Sequence, residues 1–180
     1  MRDETAPPVA LVGLMGAGKS AVARVLGERL GRAVADLDAM VEAERGGTVA
    51  EIFAREGEAA FRRHEGRLLE KVLAVGAGVV ACGGGVVLDP GQRRLLARRC
   101  RVVWLDVTPA TAARRLRETA ADRPLLAGGD ADELRRRLEA LLEARRPLYE
   151  EVAHARVAVD ARSVDEVADD VLLVLQGRQR

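Results

Sequence analysis

Five short apolar runs, separated by segments with helical periodicity, limit most strongly what this chain can fold into. The runs cover residues 9–12, 33–36, 79–82, 101–105 and 157–159. Such short apolar runs are typical of strands that are buried on both faces of a sheet. Parallel strands need crossover connections, and the helical segments between the runs supply them. We therefore predict an α/β fold in which helices cover both faces of a five-stranded parallel sheet.

Start and stop signals locate several of the helices. Apolar residues at helical spacing predict a helix over residues 19–30. Thr48 followed by Glu51 is a capping-box pattern, which indicates that another helix begins there. Gly57 is expected to interrupt the helical stretch that follows. A final amphipathic helix is predicted over residues 163–175.

Composition favours one domain and excludes several classes of protein. The 180 residues suit a single domain over 1–180, with frayed tails at 1–6 and 177–180. The net charge of +1 argues against a dedicated nucleic-acid binder. No apolar run approaches the ~20 residues of a membrane span, and the N-terminus lacks the apolar core of a secretory signal. Two cysteines, Cys82 and Cys100, suit a reducing cytosol, so we expect a cytoplasmic protein.

A phosphate-binding pattern follows the first apolar run directly. Residues 13–20, here called the phosphate loop, read Gly-Leu-Met-Gly-Ala-Gly-Lys-Ser and match the P-loop pattern in full. The glycines let consecutive backbone N–H groups converge on phosphate oxygens. Lys19, one of only two lysines, can reach the β- and γ-phosphates of ATP, and Ser20 can ligate Mg²⁺. We assign nucleotide binding to the consecutive residues Gly16, Ala17, Gly18, Lys19, Ser20 and Ala21.

Two further segments fall at the carboxyl ends of predicted strands, where ligands bind in open α/β sheets. Asp36 and Asp38 end the second strand, and strand alternation would put both carboxylates on one side. One could hold the magnesium shell while the other accepts a hydrogen bond from an attacking hydroxyl; the alternative is a solvated strand end. Gly83–Gly85, the glycine triad, follows the third strand and lets backbone approach a ligand closely. An ordinary surface loop is the alternative here.

Three arginine-containing motifs carry little information singly, because 27 of the 29 basic residues are arginine. They are Phe-Arg-Arg at 61–63, Arg-Pro-Leu-Leu at 123–126 and Arg-Arg-Pro-Leu-Tyr at 145–149. Together with the phosphate loop, Asp-Leu-Asp and the glycine triad, they make the chain resemble the shikimate kinase family from about residue 9 to residue 176. The resemblance implies a P-loop kinase fold. It also implies that the γ-phosphoryl group of MgATP is transferred to the 3-hydroxyl of shikimate, giving shikimate 3-phosphate and ADP in chorismate and aromatic amino acid biosynthesis.

The resemblance implies roles for the residues on the nucleotide side. Lys19 and Ser20 would bind phosphate and metal, and Asp36 would hold Mg²⁺ through water. Arg115 would stack on adenine. The chain has no proline in 160–165, where some members of the family place one against the other face of adenine.

A mobile lid is expected over about residues 117–132, because the segment has few apolar anchors and a glycine pair at 128–129. By the resemblance, Arg123 in this segment would bind the nucleotide and reach the transferring phosphate. Arg123 would thus be catalytic, together with Lys19 and Asp38.

The resemblance assigns the acceptor pocket to a second set of residues. Asp38 would contact the shikimate hydroxyls and orient or deprotonate the nucleophile. Arg62 and Arg145 would bind the substrate carboxylate, and Gly84 and Gly85 would contribute backbone groups to the same pocket.

Other functions remain open on the residues alone. A related P-loop kinase for another small hydroxylated metabolite, such as gluconate, would share Lys19 and Ser20. A nucleotide-dependent switch would bind ATP without acceptor-dependent turnover. An arginine-rich nucleic-acid-binding module is disfavoured by the balanced charge and by the presence of only four aromatic side chains. We expect a monomer that binds ATP or ADP and shikimate, and neither nucleic acid nor membrane.

Overall fold

Five parallel strands form a sheet in the order β2-β3-β1-β4-β5. The computed structural model describes residues 6–76, 78–119 and 130–177. The strands are β1 (Val9–Val12), β2 (Val34–Asp36), β3 (Val79–Ala81), β4 (Arg101–Asp106) and β5 (Ala155–Ala158). Every strand pair is parallel, which confirms the predicted α/β architecture.

Helices flank this sheet and connect its strands. In the described residues they are α1 (Lys19–Leu30), α2 (Leu37–Arg45), α3 (Val49–Glu56), α4 (Glu58–Ala74), α5 (Pro90–Arg99), α6 (Pro109–Thr119), α7 (Ala131–Val152) and α8 (Val164–Leu175), with a 3-10 turn at Val86–Leu88. Helix α1 contacts α8 and β3, whereas α7 contacts α5, α6 and β4. None of the helices in the described ranges has the length and apolarity that a membrane crossing requires.

The predicted capping box forms at the start of α3, and a second capping box forms at the start of α8. The Thr48 hydroxyl accepts a hydrogen bond from Glu51 N, and the Glu51 carboxylate accepts one from Thr48 N in return. Ser163 and Glu166 make the same reciprocal pair at the start of α8. Gly57 separates α3 from α4 with φ +82°, a conformation that glycine adopts without strain. These contacts satisfy backbone N–H groups that a helix start leaves without intrahelical partners.

The register of the central strands places three candidate ligand-binding segments side by side. Leu11 of β1 pairs with Ala81 of β3 on one side and with Val103 of β4 on the other. Asp36 at the end of β2 pairs with the same Ala81. The phosphate loop, the glycine triad and the Asp-Leu-Asp segment therefore leave the sheet at neighbouring points of its carboxyl edge.

The core is packed mainly by aliphatic side chains of the central strands and of the helices that cover them. Ala10, Leu11 and Val12 of β1 are completely buried, as expected for a parallel sheet covered on both faces. Burying a leucine or valine side chain contributes roughly 1.5–3 kcal/mol, so these strands form the stable base of the site. Cys82 and Cys100 are both buried and unbridged, which agrees with a packing role. Burial raises the pKa of the Cys82 thiol well above its ordinary range.

Strand β5 begins two residues earlier than predicted. Its side chains alternate in exposure, with Arg156 and Ala158 exposed and Val157 buried. Because β5 is an edge strand that pairs only with β4 in the described sheet, it needs no continuous apolar run. The pattern of apolar residues therefore predicted only part of β5.

Both ends of the segment predicted as a lid are helical. Residues 117–119 complete α6, and residues 131–132 begin α7 after its N-cap, Asp130. Residues 120–129, and Arg123 with them, lie outside the described residues.

Residues predicted to lie in frayed tails make hydrogen bonds where the structure describes them. Arg32 donates to the carbonyl of Ala6. Gly177 N donates to Val174 O at 3.1 Å. Ala6 and Gly177 are thus each hydrogen-bonded to the rest of the described chain.

Candidate active site

The phosphate loop has the conformation that an anion-binding loop needs. Gly16 and Gly18 have φ values of +81° and +85°, and Gly18 is the N-cap of α1. Glycine reaches these conformations without steric cost. Lys19 Nζ donates to Gly13 O at 2.9 Å and to Leu14 O at 3.0 Å, which holds the ammonium group at the loop. No side chain caps the start of α1 in the described structure, so its N–H groups are available to a phosphate.

Asp36 and Asp38 are both close to Lys19. The prediction that Asp38 lies at the end of a strand, however, is wrong. The strand ends at Asp36, whose side chain caps α2 by accepting a hydrogen bond from Ala39 N at 3.2 Å. Asp38 therefore lies in the first turn of α2 and not on a strand. Burial raises the pKa of Asp38, and the Lys19 ammonium partly offsets the shift. Burial lowers the pKa of Lys19, and the carboxylates of Asp38 and Asp36 oppose that shift.

The glycine triad lies against charged side chains from two helices. A Cβ atom at Gly83 would be 2.2 Å from Glu65 Oε1 and 2.6 Å from Asp38 Oδ1. A Cβ atom at Gly85 would be 2.2 Å from Arg62 Nη2. Such distances are far below van der Waals contact, so only glycine allows these groups to converge. The triad is therefore part of a built pocket and not a generic surface loop.

Gly84 joins this pocket to the phosphate loop. A Cβ atom at Gly84 would be 3.4 Å from both Gly13 O and Met15 N, so the two backbone segments touch. The carbonyl of Gly84 accepts hydrogen bonds from Arg145 Nη1 at 3.1 Å and from Tyr149 Oη at 2.6 Å. Burial raises the pKa of Tyr149 to about 12, so its hydroxyl remains a donor at neutral pH. Arg145 is itself buried, which is unusual for a charged side chain.

Arg62 is held by two carboxylates on its own helix. Its Nη1 lies 2.8 Å from Glu65 Oε2 and its Nη2 lies 3.1 Å from Glu58 Oε1. Glu65 is completely buried, and its Oε1 has no hydrogen-bond partner among the described residues. Burial raises the pKa of Glu65, and the charge of Arg62 opposes the shift. The sequence analysis missed Glu65, although an acidic residue on the apolar face that includes Phe61 and Leu68 was a usable signal.

The side chain of Arg115 on α6 is directed toward the phosphate loop, whereas that of its neighbour Arg114 is not. Its Nη1 donates to Gly16 O at 3.3 Å and its Nη2 donates to Val159 O at 3.0 Å. Arg114 instead forms an exposed ion pair with Glu118. Arg115, and not Arg114, therefore lies at the phosphate loop, and its predicted stacking on adenine stays a prediction.

The structure thus brings most of the predicted site residues to one edge of the sheet. Two groups meet there, one on the phosphate loop and one around the glycine triad. The assembled residues are Lys19, Asp36, Asp38, Arg62, Gly84, Gly85, Arg115 and Arg145. Ser20 follows Lys19 in the first turn of α1 and is exposed. Arg123 lies outside the described residues.

Sequence comparisons identify the relatives of this chain. A family model described as shikimate kinase matches residues 15–176. A shikimate kinase of Symbiobacterium thermophilum is 47% identical over 171 residues, which cover 94% of this chain and 97% of that protein. A shikimate kinase of Streptomyces avermitilis is 47% identical over 172 residues, covering 96% of this chain and 97% of the relative.

Solved structures agree with the sequence comparisons. Shikimate kinase from Acinetobacter baumannii, in complex with shikimate, superposes with a TM-score of 0.87 at 36% identity, covering 97% of this chain and 95% of that one. The enzyme from Aquifex aeolicus has a TM-score of 0.77 at 29% identity, with 94% and 96% covered. A gluconokinase from Sinorhizobium meliloti has a TM-score of 0.60 at 18% identity, covering 95% and 92%, and shares the fold alone. With a P-loop kinase fold and a family match over nearly its whole length, this chain belongs to the shikimate kinase family.

Proposed function

We propose that this chain transfers the γ-phosphoryl group of MgATP to the 3-hydroxyl of shikimate, giving shikimate 3-phosphate and ADP. The observation that carries the proposal is the contact at Gly84. Its backbone touches the phosphate loop at Gly13 and Met15, while its carbonyl binds the buried Arg145. A pocket with a buried cation therefore lies directly against the loop that would hold the phosphoryl donor. An acceptor with a carboxylate and nearby hydroxyls fits this arrangement.

The phosphate side supplies positive charge where the transferring group carries negative charge. Phosphoryl transfer depends mainly on positioning and electrostatic stabilisation. The N–H groups of the phosphate loop and the Lys19 ammonium supply both, since Lys19 is held at the loop by two carbonyl groups. We assign Arg115 to the adenine end of the nucleotide and Arg123 to the transferring phosphate.

The acceptor side binds and orients the substrate through its carboxylate. We assign that role to Arg62 and Arg145, because both guanidinium groups lie beside the glycine triad. The planar guanidinium pairs with a carboxylate through two parallel hydrogen bonds, which gives direction as well as affinity. Backbone groups of Gly84 and Gly85 complete the wall of the pocket. Glu65 orients the guanidinium group of Arg62 through their 2.8 Å ion pair.

Asp38 is the group that we assign to the attacking hydroxyl. It lies beside Gly83 and within the electrostatic field of Lys19. Burial raises its pKa, which improves its match to a proton-accepting role. As the new O–P bond forms and the bond to the ADP oxygen breaks, the hydroxyl proton passes to Asp38. Before that step, Asp38 aligns the hydroxyl with the phosphoryl group.

The residues at this edge also fit a magnesium ion. Mg²⁺ prefers oxygen ligands and keeps several waters beside substrate phosphates, so one or two protein ligands suffice. The described part of the chain has no cluster of three or more His, Cys, Asp or Glu, so substrate phosphates and water would have to supply most of the ligands. Ser20 would bind Mg²⁺ directly and Asp36 would bind it through water. When bound, the ion offsets negative charge on the phosphate oxygens.

An ADP-release assay tests this proposal. We expect rapid release with shikimate and MgATP, and little release with gluconate, with nucleoside monophosphates or without an acceptor. Lys19→Met should reduce turnover by several orders of magnitude. Lys71→Met is the matched control, because Lys71 is the only other lysine and lies exposed near the end of α4. Equal ADP release with and without shikimate would contradict the proposal.

A further inference from the structure

We propose that Gln92 is a positioning residue for the acceptor pocket. Gln92 holds Arg62 at the correct distance from the glycine triad. Gln92 lies on α5 and Arg62 on α4. The side-chain amide Nε2 of Gln92 donates a hydrogen bond to the backbone carbonyl of Arg62 at 3.2 Å. This inference deepens the proposed function, since it depends on the role of Arg62 in binding the substrate carboxylate.

The hydrogen bond depends on the absence of a side chain at Gly66 in α4. Gln92 is only 7% exposed, and its amide lies where a side chain at Gly66 would be. A Cβ atom at Gly66 would be 2.7 Å from Gln92 Nε2. Asp89 fixes the start of α5 by accepting hydrogen bonds from Gly91 N at 2.6 Å and Gln92 N at 3.0 Å. The Gln92 amide is thus buried on a fixed part of α5 and donates to the carbonyl of Arg62. Its hydrogen bond is therefore a specific contact, unlike that of a mobile surface side chain.

The contact joins the two parts of the chain that form the carboxylate pocket. Gly85 leads through the 3-10 turn Val86–Leu88 into α5, so Gln92 is seven residues beyond the glycine triad. Arg62 is held at its backbone by Gln92 and at its guanidinium by Glu65. Because the guanidinium also lies against Gly85, a small shift of α4 relative to α5 would move it out of register with the pocket. Misplacement of this size is enough to weaken substrate use.

The first test separates positioning from stability. Gln92→Leu keeps the approximate size of the side chain but removes the donor. We expect the KM for shikimate to rise about threefold to tenfold, the effect of one hydrogen bond, with the KM for ATP unchanged. Leu96→Val is the control, because Leu96 is completely buried on the same helix and has no polar group. It should lower the thermal midpoint while leaving both KM values unchanged.

A second variant breaks the same hydrogen bond without weakening the helix. Gly66→Ala places a methyl group where the Gln92 amide lies, and alanine has a higher helix propensity than glycine. The flexible amide can move aside, so the protein should fold. We expect the KM for shikimate to rise as in Gln92→Leu, without a loss of thermal stability. An unchanged KM in both folded variants would overturn the role of Gln92.

A double-mutant cycle shows whether Gln92 acts through Arg62. In wild-type protein, Gln92→Leu should reduce the preference for shikimate over its methyl ester. In an Arg62→Ala background, Gln92→Leu should change neither KM nor this preference, because the group that it positions is gone. Independent effects that multiply in the double variant would overturn the inference. Failure of the wild-type protein to phosphorylate shikimate would instead contradict the proposed function itself.

Discussion

The guanidinium of Arg62 occupies the space that any side chain at Gly85 would need. A Cβ atom at Gly85 would be 2.2 Å from Nη2 and 2.3 Å from Cζ of Arg62. The φ value of Gly85 is −103°, which is ordinary for an L-amino acid. Glycine is therefore needed at this position for space and not for backbone conformation.

Gly85→Ala should consequently damage the acceptor site more than the fold. The methyl group meets the end of a flexible side chain, so Arg62 can move and the protein should remain folded. The displaced guanidinium no longer faces the pocket, and we expect the KM for shikimate to rise at least tenfold while the KM for ATP changes little. Steady-state kinetics and thermal denaturation check both parts. A variant with normal shikimate kinetics would show that Arg62 does not act from this position.

Arg62→Ala and Arg145→Ala should each weaken the use of the carboxylate. Hydrogen bonds to charged groups contribute about 1.5–3 kcal/mol, so we expect a loss of roughly tenfold to a hundredfold in kcat/KM for shikimate. Lysine at either position should restore only part of it, because an ammonium group cannot make two parallel hydrogen bonds.

The methyl ester of shikimate provides the control for this prediction. The wild-type protein should prefer the acid strongly, and the preference should shrink in either alanine variant. If both variants kept the full preference, the carboxylate would be bound elsewhere.

Tyr149→Phe removes one of the two donors to Gly84 O and leaves Arg145 in place. Because one partner remains, we expect a loss of about 0.5–1.5 kcal/mol in the free energy of unfolding, measured by urea denaturation. Since the pKa of Tyr149 is raised to about 12, its hydroxyl does not ionise below pH 10. The unfolded chain, in which the tyrosine pKa has its ordinary value of 10.0, ionises first, so the wild-type advantage should shrink as the pH rises toward 10 and above. Below that, the stability difference between variant and wild type should stay constant, from pH 7 to about pH 9. A difference that disappears within this range would contradict the buried donor.

The ionisation of Asp38 should govern the acid limb of activity. Burial raises its pKa, so the active carboxylate is lost on acidification at a higher pH than for an ordinary aspartate, whose pKa is 3.8. We expect kcat/KM for shikimate to fall as the pH decreases through this raised value. Asp38→Asn should reduce turnover far more than ATP binding.

Glu65→Gln is the control for this pH dependence, because burial raises the pKa of Glu65 as well. The acid limb should persist in Glu65→Gln if Asp38 causes it. If the acid limb disappeared in Glu65→Gln, ionisation of Glu65 and not of Asp38 would be its cause.

The fold was largely predictable because its signals are local. Apolar runs, glycine stops and capping pairs act over a few residues, and they located the central strands and α1 closely. Asp38 was misplaced because β2 ends at Asp36, so strand alternation does not continue to residue 38. Asp36 acts there as a helix cap, and the chain turns into α2 at Leu37.

The parts of the site that could not be predicted depend on tertiary contacts. Glu65 matters because it is buried beneath Gly83, and this burial depends on how α4 packs on the sheet. Gln92 and Arg62 are 30 residues apart, and no local pattern connects them. Arg62 and Arg145 could be assigned together only through the resemblance to a family, because arginine is too common in this chain to stand out.

The identity of the phosphorylated product tests the account most directly. The chain should be incubated with MgATP and shikimate, and the product examined by phosphorus–proton correlation NMR. We predict one new phosphate monoester, coupled to the proton on carbon 3 of shikimate, in a one-to-one ratio with ADP. Inorganic phosphate as the main product, or a phosphate on another hydroxyl, would contradict the assignment of Asp38 and the carboxylate pocket to the 3-hydroxyl acceptor.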